Sequence, residues 1–368
     1  MSDTSMVKVL LYSDGTQHSL SAAVYTTSLF KNIPNMHLTV LYVRDNVESS
    51  RGGDPNLIES WPIDPKSDWV KHLMGEADSD KIIQYSEILA KTNEIFSKRG
   101  YDVNQQVIYS DSNISDMAKA IINYSTTNAF DLLIMGTRGL TSLKGLIHGS
   151  LTHNVINKSN IPVLLVKKLP QEFVDRYCTA DDGGTHGSSS QFRVLLYSDG
   201  SHQAFSAAVY TANLFKNIPD MQLTVVQVRE SDEEPIGSEH NWVDAWPVSP
   251  TAEWMKHALD ASDPETKKQY HEILAKTNEV FLQKEYNVKH QVLYASNVVS
   301  ETVNVIFDYA TQKPFNLVIM GTRGLSTLNG LIFGSFAHNV LNKSSLPVLL
   351  VKKLPQAFID SFLSGPKS

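Results

Sequence analysis

Short apolar runs alternate along the chain with longer stretches of helical period. VKVLLYS reads as a buried strand, and Leu20, Ala23, Val24, Thr27 and Phe30 then recur at the spacing of one helix face. LTVLYV is a second strand. Ile88, Leu89, Thr92, Ile95 and Phe96 mark the next helix, VNQQVIY a third strand, and Ile114, Met117, Ile121 and Tyr124 a further helix. DLLIMG and PVLLV close the series, separated by a loop and a short helix. Such uninterrupted apolar strands are expected where helices cover both faces of a parallel sheet.

The pattern then begins again. LLYSDG at Leu10 to Gly15 returns at Leu195 to Gly200, and the same shift of 185 carries Trp61 onto Trp246, Gly136 onto Gly321 and EILAKTNE at Glu87 onto its copy at Glu272. A period of that length is a duplicated domain, since solenoid repeats run roughly 20 to 50 residues. In the second copy Phe205, Ala208, Val209, Ala212 and Phe215 repeat the first helix stripe. TADDGGTHGSSSQ between the copies is small, polar and glycine-rich, the composition of a flexible linker. The expected organisation is a domain over 1–178, a linker over 179–191 and a second domain over 192–368. Each domain is predicted to be α/β, a doubly wound parallel sheet of five strands.

Composition narrows the function classes. With 42% hydrophobic and 19% charged residues over 368 positions, the chain is neither disordered nor fibrous. Its net charge of −7 provides no bulk attraction to nucleic acid or an anionic membrane. No apolar run approaches the ~20 residues that span a bilayer, and the opening residues lack a signal-peptide plan, so a cytoplasmic location is expected. Cys178 is the only cysteine, which excludes an internal disulfide and a cysteine metal site.

Ligands of open α/β sheets bind beyond the carboxyl ends of the strands, where strand order reverses. Strand one ends in Ser13, Asp14 and Gly15, and in the second copy in Ser198, Asp199 and Gly200. Asp14 is either a ligand acceptor or a cap for the helix that follows. Strand four runs into GTRGLTSLKGLIHGS and, in the second copy, GTRGLSTLNGLIFGS. These glycines either let backbone amides approach phosphate or simply make tight turns. After Gly149 a helix is predicted whose first turn has free N–H groups, with Ser150 and Ser335 adding hydroxyls and Arg138 and Arg323 adding charge. Neither the dinucleotide fingerprint nor a P-loop is present.

The spacing Gly136, Gly139, Gly149, Ser150, repeated at Gly321, Gly324, Gly334, Ser335, resembles the nucleotide-binding pattern of the ATP-binding branch of the universal stress protein family. The resemblance extends to the SDG of strand one, to LYV and to the closing HNVINKSNIPVLLVKK and HNVLNKSSLPVLLVKK, and so covers most of both copies. It implies a tandem of Rossmann-like domains with strand order 3-2-1-4-5 that bind ATP, with Mg²⁺ held through the phosphates. By the same resemblance Asp14 and Val43, with Asp199 and Val228, match positions that contact adenine. Gly136, Arg138 and Gly139, with Gly321, Arg323 and Gly324, match the loop along the ribose and first phosphates. Gly149, Ser150, Leu151 and Thr152, with Gly334, Ser335 and Phe336, match the turn around the terminal phosphates. Ala337 stands where the first copy has Thr152, Asn329 where it has Lys144 and Phe333 where it has His148, so the first site is expected to be the tighter. SDSN at 110–113 and ASNV at 295–298 depart from the Gly and Pro usual after strand three. The family's dimers imply pairing through strand five, here as an intramolecular pseudo-dimer, with a homo-oligomer as a further possibility and the protein partner unnamed.

Three functions stay open on these residues. One is a nucleotide-dependent stress-response module. Another is a slow ATP hydrolase, with no general base beside the loop and catalysis resting on positioning alone. The last is a protein-binding scaffold with degenerate pockets. The inserts WPIDPKSDWVKH and WPVSPTAEWMKH are read as packing on their own domain rather than as lids or partner patches, His148 and His153 are not read as metal ligands, and His153 and His338 are read as decorating the helix after the loop. The tails KLPQEFVDRY and KLPQAFIDSF are expected to pack on the partner domain.

Overall fold

The computed structural model of the chain describes residues 6–33, 35–45, 59–60, 79–111, 113–138, 149–179, 191–216, 218, 220–230, 239–241, 264–282, 286, 288–296, 298–323 and 335–364. The chain divides into two compact units, Met1–Ser189 and Ser190–Ser368. Most of the interdomain linker proposed above, and Trp61, Trp69, Trp246 and Trp254 of the inserts, lie outside the described residues.

The first unit runs β1 (Val7–Tyr12), α1 (Gln17–Asn32), β2 (Met36–Asp45), β3 (Glu59–Ser60), α2 (Ser79–Ser97), β4 (Val103–Ser110), α3 (Ile114–Thr127), β5 (Leu132–Gly136), α4 (Ser150–Lys158), β6 (Val163–Val166) and α5 (Gln171–Thr179). Its sheet has the order β3-β4-β2-β1-β5-β6. β1 pairs parallel with β2 and β5, β2 with β4, and β5 with β6. Setting β3 aside, this is the expected 3-2-1-4-5 arrangement. The short antiparallel edge strand β3, against β4, is an addition that the sequence pattern did not signal.

The second unit repeats the plan with β7 (Phe192–Tyr197), α6 (His202–Phe215), β8 (Met221–Glu230), β9 (Glu239–Asn241), α7 (Pro264–Leu282), β10 (Val288–Ala295), α8 (Val299–Gln312), β11 (Leu317–Gly321), α9 (Ser335–Lys343), β12 (Val348–Val351) and α10 (Gln356–Ser364). Within it β7 pairs parallel with β8 and β11, β8 with β10, and β11 with β12, while β9 is the antiparallel edge.

The cores follow from the apolar runs. Val9, Leu10 and Leu11 of β1 and Val194, Leu195 and Leu196 of β7 are fully buried on both sides of their sheets. In the first unit α1, α2 and α5 pack together on one face, and α3 with α4 on the other. Leu20 and Val24 of α1 meet Ile88 and Ile95 of α2 and Val174 of α5 in one cluster. The tail helix α5 therefore packs on its own unit, where its placement on the partner domain was expected, because its apolar stripe finds a ready groove between α1 and α2. The Leu169 amide fixes this docking by donating to Ser21 Oγ at 3.0 Å. The buried face of α3 is Ala118, Ile121, Ile122 and Ser125, rotated from the predicted stripe; small residues at 118 and 125 are the ones turned inward.

Candidate functional site

Strand order reverses between β1, β2 and β5, and the candidate site lies at the carboxyl ends of these strands. Gly15 adopts φ +73° and Gly200 φ +80°, a left-handed conformation that glycine reaches without strain. That turn sends the chain from β1 into α1. The helix N-cap is Thr16, whose Oγ1 accepts from the Ser19 amide. Asp14 is not the cap: its Oδ1 accepts from the Thr16 amide at 3.1 Å and from Thr16 Oγ1 at 2.7 Å, which fixes the capping residue. In the second unit Ser201 is the cap, and Asp199 Oδ1 accepts from its amide at 3.0 Å.

At β5 the chain is tied on both sides. The Thr137 amide donates to Val166 O at 3.0 Å, the Gly149 amide to Thr137 O at 3.0 Å, and Thr152 Oγ1 to Gly136 O at 3.1 Å. These bonds hold the first turn of α4 against the strand end. No side chain caps that helix at Gly149, and the first turn of a helix is where an anion is favoured. Thr152→Val keeps the shape and removes the donor to Gly136. It is expected to lower stability by about 0.5–1.5 kcal/mol in urea unfolding.

Tyr12, Asp14, Ser19, Met135, Gly136, Arg138, Leu151 and Thr152 line a small open cleft here. Five of the residues singled out from sequence thus share one cavity: Asp14, Gly136, Arg138, Leu151 and Thr152. Val43 is buried on β2 but is not among the lining residues, Gly149 and Ser150 sit at the start of α4, and Gly139 lies outside the described residues. Sequence reasoning missed Tyr12 and Ser19 as lining groups; their signal was adjacency to the SDG turn and to the cap. It also missed His18, whose backbone and Cβ lie against Gly136.

Charge grades across the cleft. Asp14 is buried, and desolvation raises its pKa against the lowering effect of the hydrogen bonds from Thr16. Arg138 is exposed at the opposite side. His18 is held below the usual imidazole range by burial first and then by Arg138 and Lys168, and Lys167 is lowered by burial and Arg138. The cleft therefore combines a buried carboxyl that gains from a donor with lysine and arginine charges that repel one another and gain from an anion. Among the described residues no group of three or more His, Cys, Asp or Glu side chains is placed to hold a metal.

The buried Asp14 charge sets a pH dependence. A carboxyl whose folded pKa is raised disfavours folding once ionised; the penalty is full above the folded pKa and disappears below the unfolded one. Asp14→Asn retains an acceptor for Thr16 and removes the charge. It is expected to be more stable than the parent at pH about 7, with the margin shrinking by pH about 4, as urea midpoints at both would show.

The second unit differs at the equivalent place. Phe336 stands where the first unit has Leu151, and its ring stacks on Tyr197 with centroids 4.8 Å apart and planes 22° inclined. Ala337 takes the place of Thr152, so the hydroxyl donor to the strand-end carbonyl is missing. Ser201 Oγ instead donates to Arg323 O at 3.2 Å. Val228 is buried on β8, and Gly324 and Gly334 lie outside the described residues.

The model of the universal stress protein family matches residues 64–167 and 192–352, well over half of the chain. The chain belongs to the universal stress protein family. As a universal stress protein it is a tandem, because the match falls in both units. Universal stress protein MJ0577 of Methanocaldococcus jannaschii is 26% identical over 171 residues, 44% of this chain and 96% of its own length. Stress response protein NhaX of Bacillus subtilis is 26% identical over 165 residues, 44% of this chain and 97% of its own. A solved universal stress protein from Archaeoglobus fulgidus superposes with a TM-score of 0.54 at 17% identity, over 96% of this chain and 100% of that one, which supports the fold alone. Among the described residues no helix is long and apolar enough to cross a membrane.

Proposed function

We propose that this tandem universal stress protein is a cytoplasmic, nucleotide-dependent stress-response module that binds ATP at the carboxyl end of its sheets, more tightly in the first unit. The observation that carries this reading is the cleft in which Asp14, Gly136, Arg138, Leu151 and Thr152 meet beside the uncapped start of α4. A buried acceptor, exposed cationic side chains and the N-terminal turn of α4 complement a base with an exocyclic amine and a polyphosphate tail. Mg²⁺ would be held through the phosphates. The residues of this chain bind and orient: Asp14 accepts from the base, the α4 amides and Ser150 receive phosphate oxygens, and Arg138 neutralises charge. Pairing of β6 with β12 as an intramolecular pseudo-dimer belongs to the same proposal.

The test is to denature the purified protein and identify released nucleotide by chromatography and mass spectrometry. ATP at about one equivalent per chain is expected from the asymmetry between the units. Absence of released nucleotide, together with no calorimetric binding of Mg-ATP, would overturn the reading.

A further inference from the structure

A second cleft opens in the second unit; none of its lining residues is the counterpart of a residue lining the cleft above, although Lys353 matches Lys168, whose charge reaches His18 there. It has a volume of about 570 Å³ and lies between α6, α7 and the segment that leads from β12 into α10. Its inner wall is apolar: Phe205, Ile273 and Ile359 line it, each nearly buried in the unit. Its rim carries two cations, Lys276 and Lys353, with the His202 imidazole beside them. In the first unit the counterparts of the wall residues, Leu20, Ile88 and Val174, belong to one hydrophobic cluster.

The two lysines are placed for a ligand. Neither makes an ion pair or hydrogen bond among the described residues. Burial lowers the His202 pKa, and Lys353 and Lys276 lower it further, so both lysine charges are felt at the imidazole and hold it neutral. Glu272, the carboxylate in the lining, has its Oε1 4.0 Å from Lys268 Nζ. The segment carrying Lys353 is fixed, because the Leu354 amide donates to Ser206 Oγ at 3.0 Å and that hydroxyl donates to His202 O at 3.0 Å. Like charges gathered over an apolar wall are stabilised by an anion that carries an apolar body.

We propose that this cleft binds a small amphiphile with a carboxylate or phosphate head, the head between Lys276 and Lys353 and the apolar body along Phe205, Ile273 and Ile359. The site is independent of the nucleotide reading.

The probe is octanoate, titrated calorimetrically into the full chain, with octanol and octyltrimethylammonium as neutral and cationic controls of equal length. A single octanoate site per chain is expected, with the controls binding at least about tenfold more weakly. Lys276→Gln combined with Lys353→Gln should weaken octanoate by about tenfold or more at unchanged thermal unfolding, both side chains being exposed. Excess Mg-ATP should leave the titration unchanged. Equal binding of octanol, an unaffected double variant, or displacement by Mg-ATP would overturn the proposal. Octyl phosphate in the same titration separates the two head groups.

Discussion

Gly136→Ala is expected to abolish nucleotide binding in the first unit and to destabilise that unit by about 1–3 kcal/mol. A Cβ at this position would stand 2.8 Å from both the carbonyl carbon and the Cβ of His18 and 3.0 Å from the His18 oxygen. Two of these are backbone atoms in the first turn of α1 and the third is the Cβ bonded to that backbone, so none can swing aside. To admit even a methyl group, α1 must lift from β5 or the strand end must bend, and either movement displaces the Thr152 bond to Gly136 O and the cleft between them. At Gly321 a Cβ would meet the carbonyl carbon and Cβ of Gln203 at 2.7 Å and the Ala204 amide at 2.9 Å, so Gly321→Ala should destabilise the second unit similarly. Urea unfolding and Mg-ATP calorimetry on both variants check this. Unaltered ATP binding by Gly136→Ala would show that the site tolerates the lift of α1.

These two glycines also show where sequence reading stops. Their position at the end of strand four suggested a backbone opened for phosphate, but the close approach is internal: helix α1 lies directly on β5. A glycine reports that something comes near without naming it. The same limit applies at Asp14, where the pattern Asp-Gly-Thr left capping and ligand roles open. Two hydrogen bonds to Thr16 resolve the local role, since Thr16 caps and Asp14 orients the cap. The strands were legible because burial on both faces demands uninterrupted runs such as DLLIM and PVLLV, bounded on each side by polar or turn residues. β3 and β9 were not, since two or three residues such as Glu59–Ser60 carry no period to read. The duplication made the site itself legible, because a glycine spacing that recurs intact after 185 residues is unlike chance. Neither Tyr12 nor Tyr197 was visible as a site residue, as each reads simply as the last apolar position of a strand.

The stacked pair in the second unit leads to the other large effect. Phe336→Leu with Ala337→Thr, which installs the first unit's residues, is expected to raise ATP bound at micromolar concentration from about one to about two per chain. The reverse change, Leu151→Phe with Thr152→Ala, should weaken the first site by about tenfold or more. The reason is occupancy by the protein's own side chain. Tyr12 and Leu151 both line the first cleft, and at the matching places Tyr197 and Phe336 lie ring on ring at 4.8 Å. Such stacking is worth about 0.5–1.5 kcal/mol beyond the area it buries, so a ligand that needs the ring displaced binds against that energy. Ala337 compounds the effect, because the hydroxyl that ties α4 to Gly136 O has no equivalent in α9, and the first turn that would face phosphate is less firmly held. Released-nucleotide counts and calorimetry on the two double variants decide the matter. Two ATP per chain in the parent protein would sink the asymmetry while leaving nucleotide binding intact, whereas none in any variant would instead remove the nucleotide reading itself.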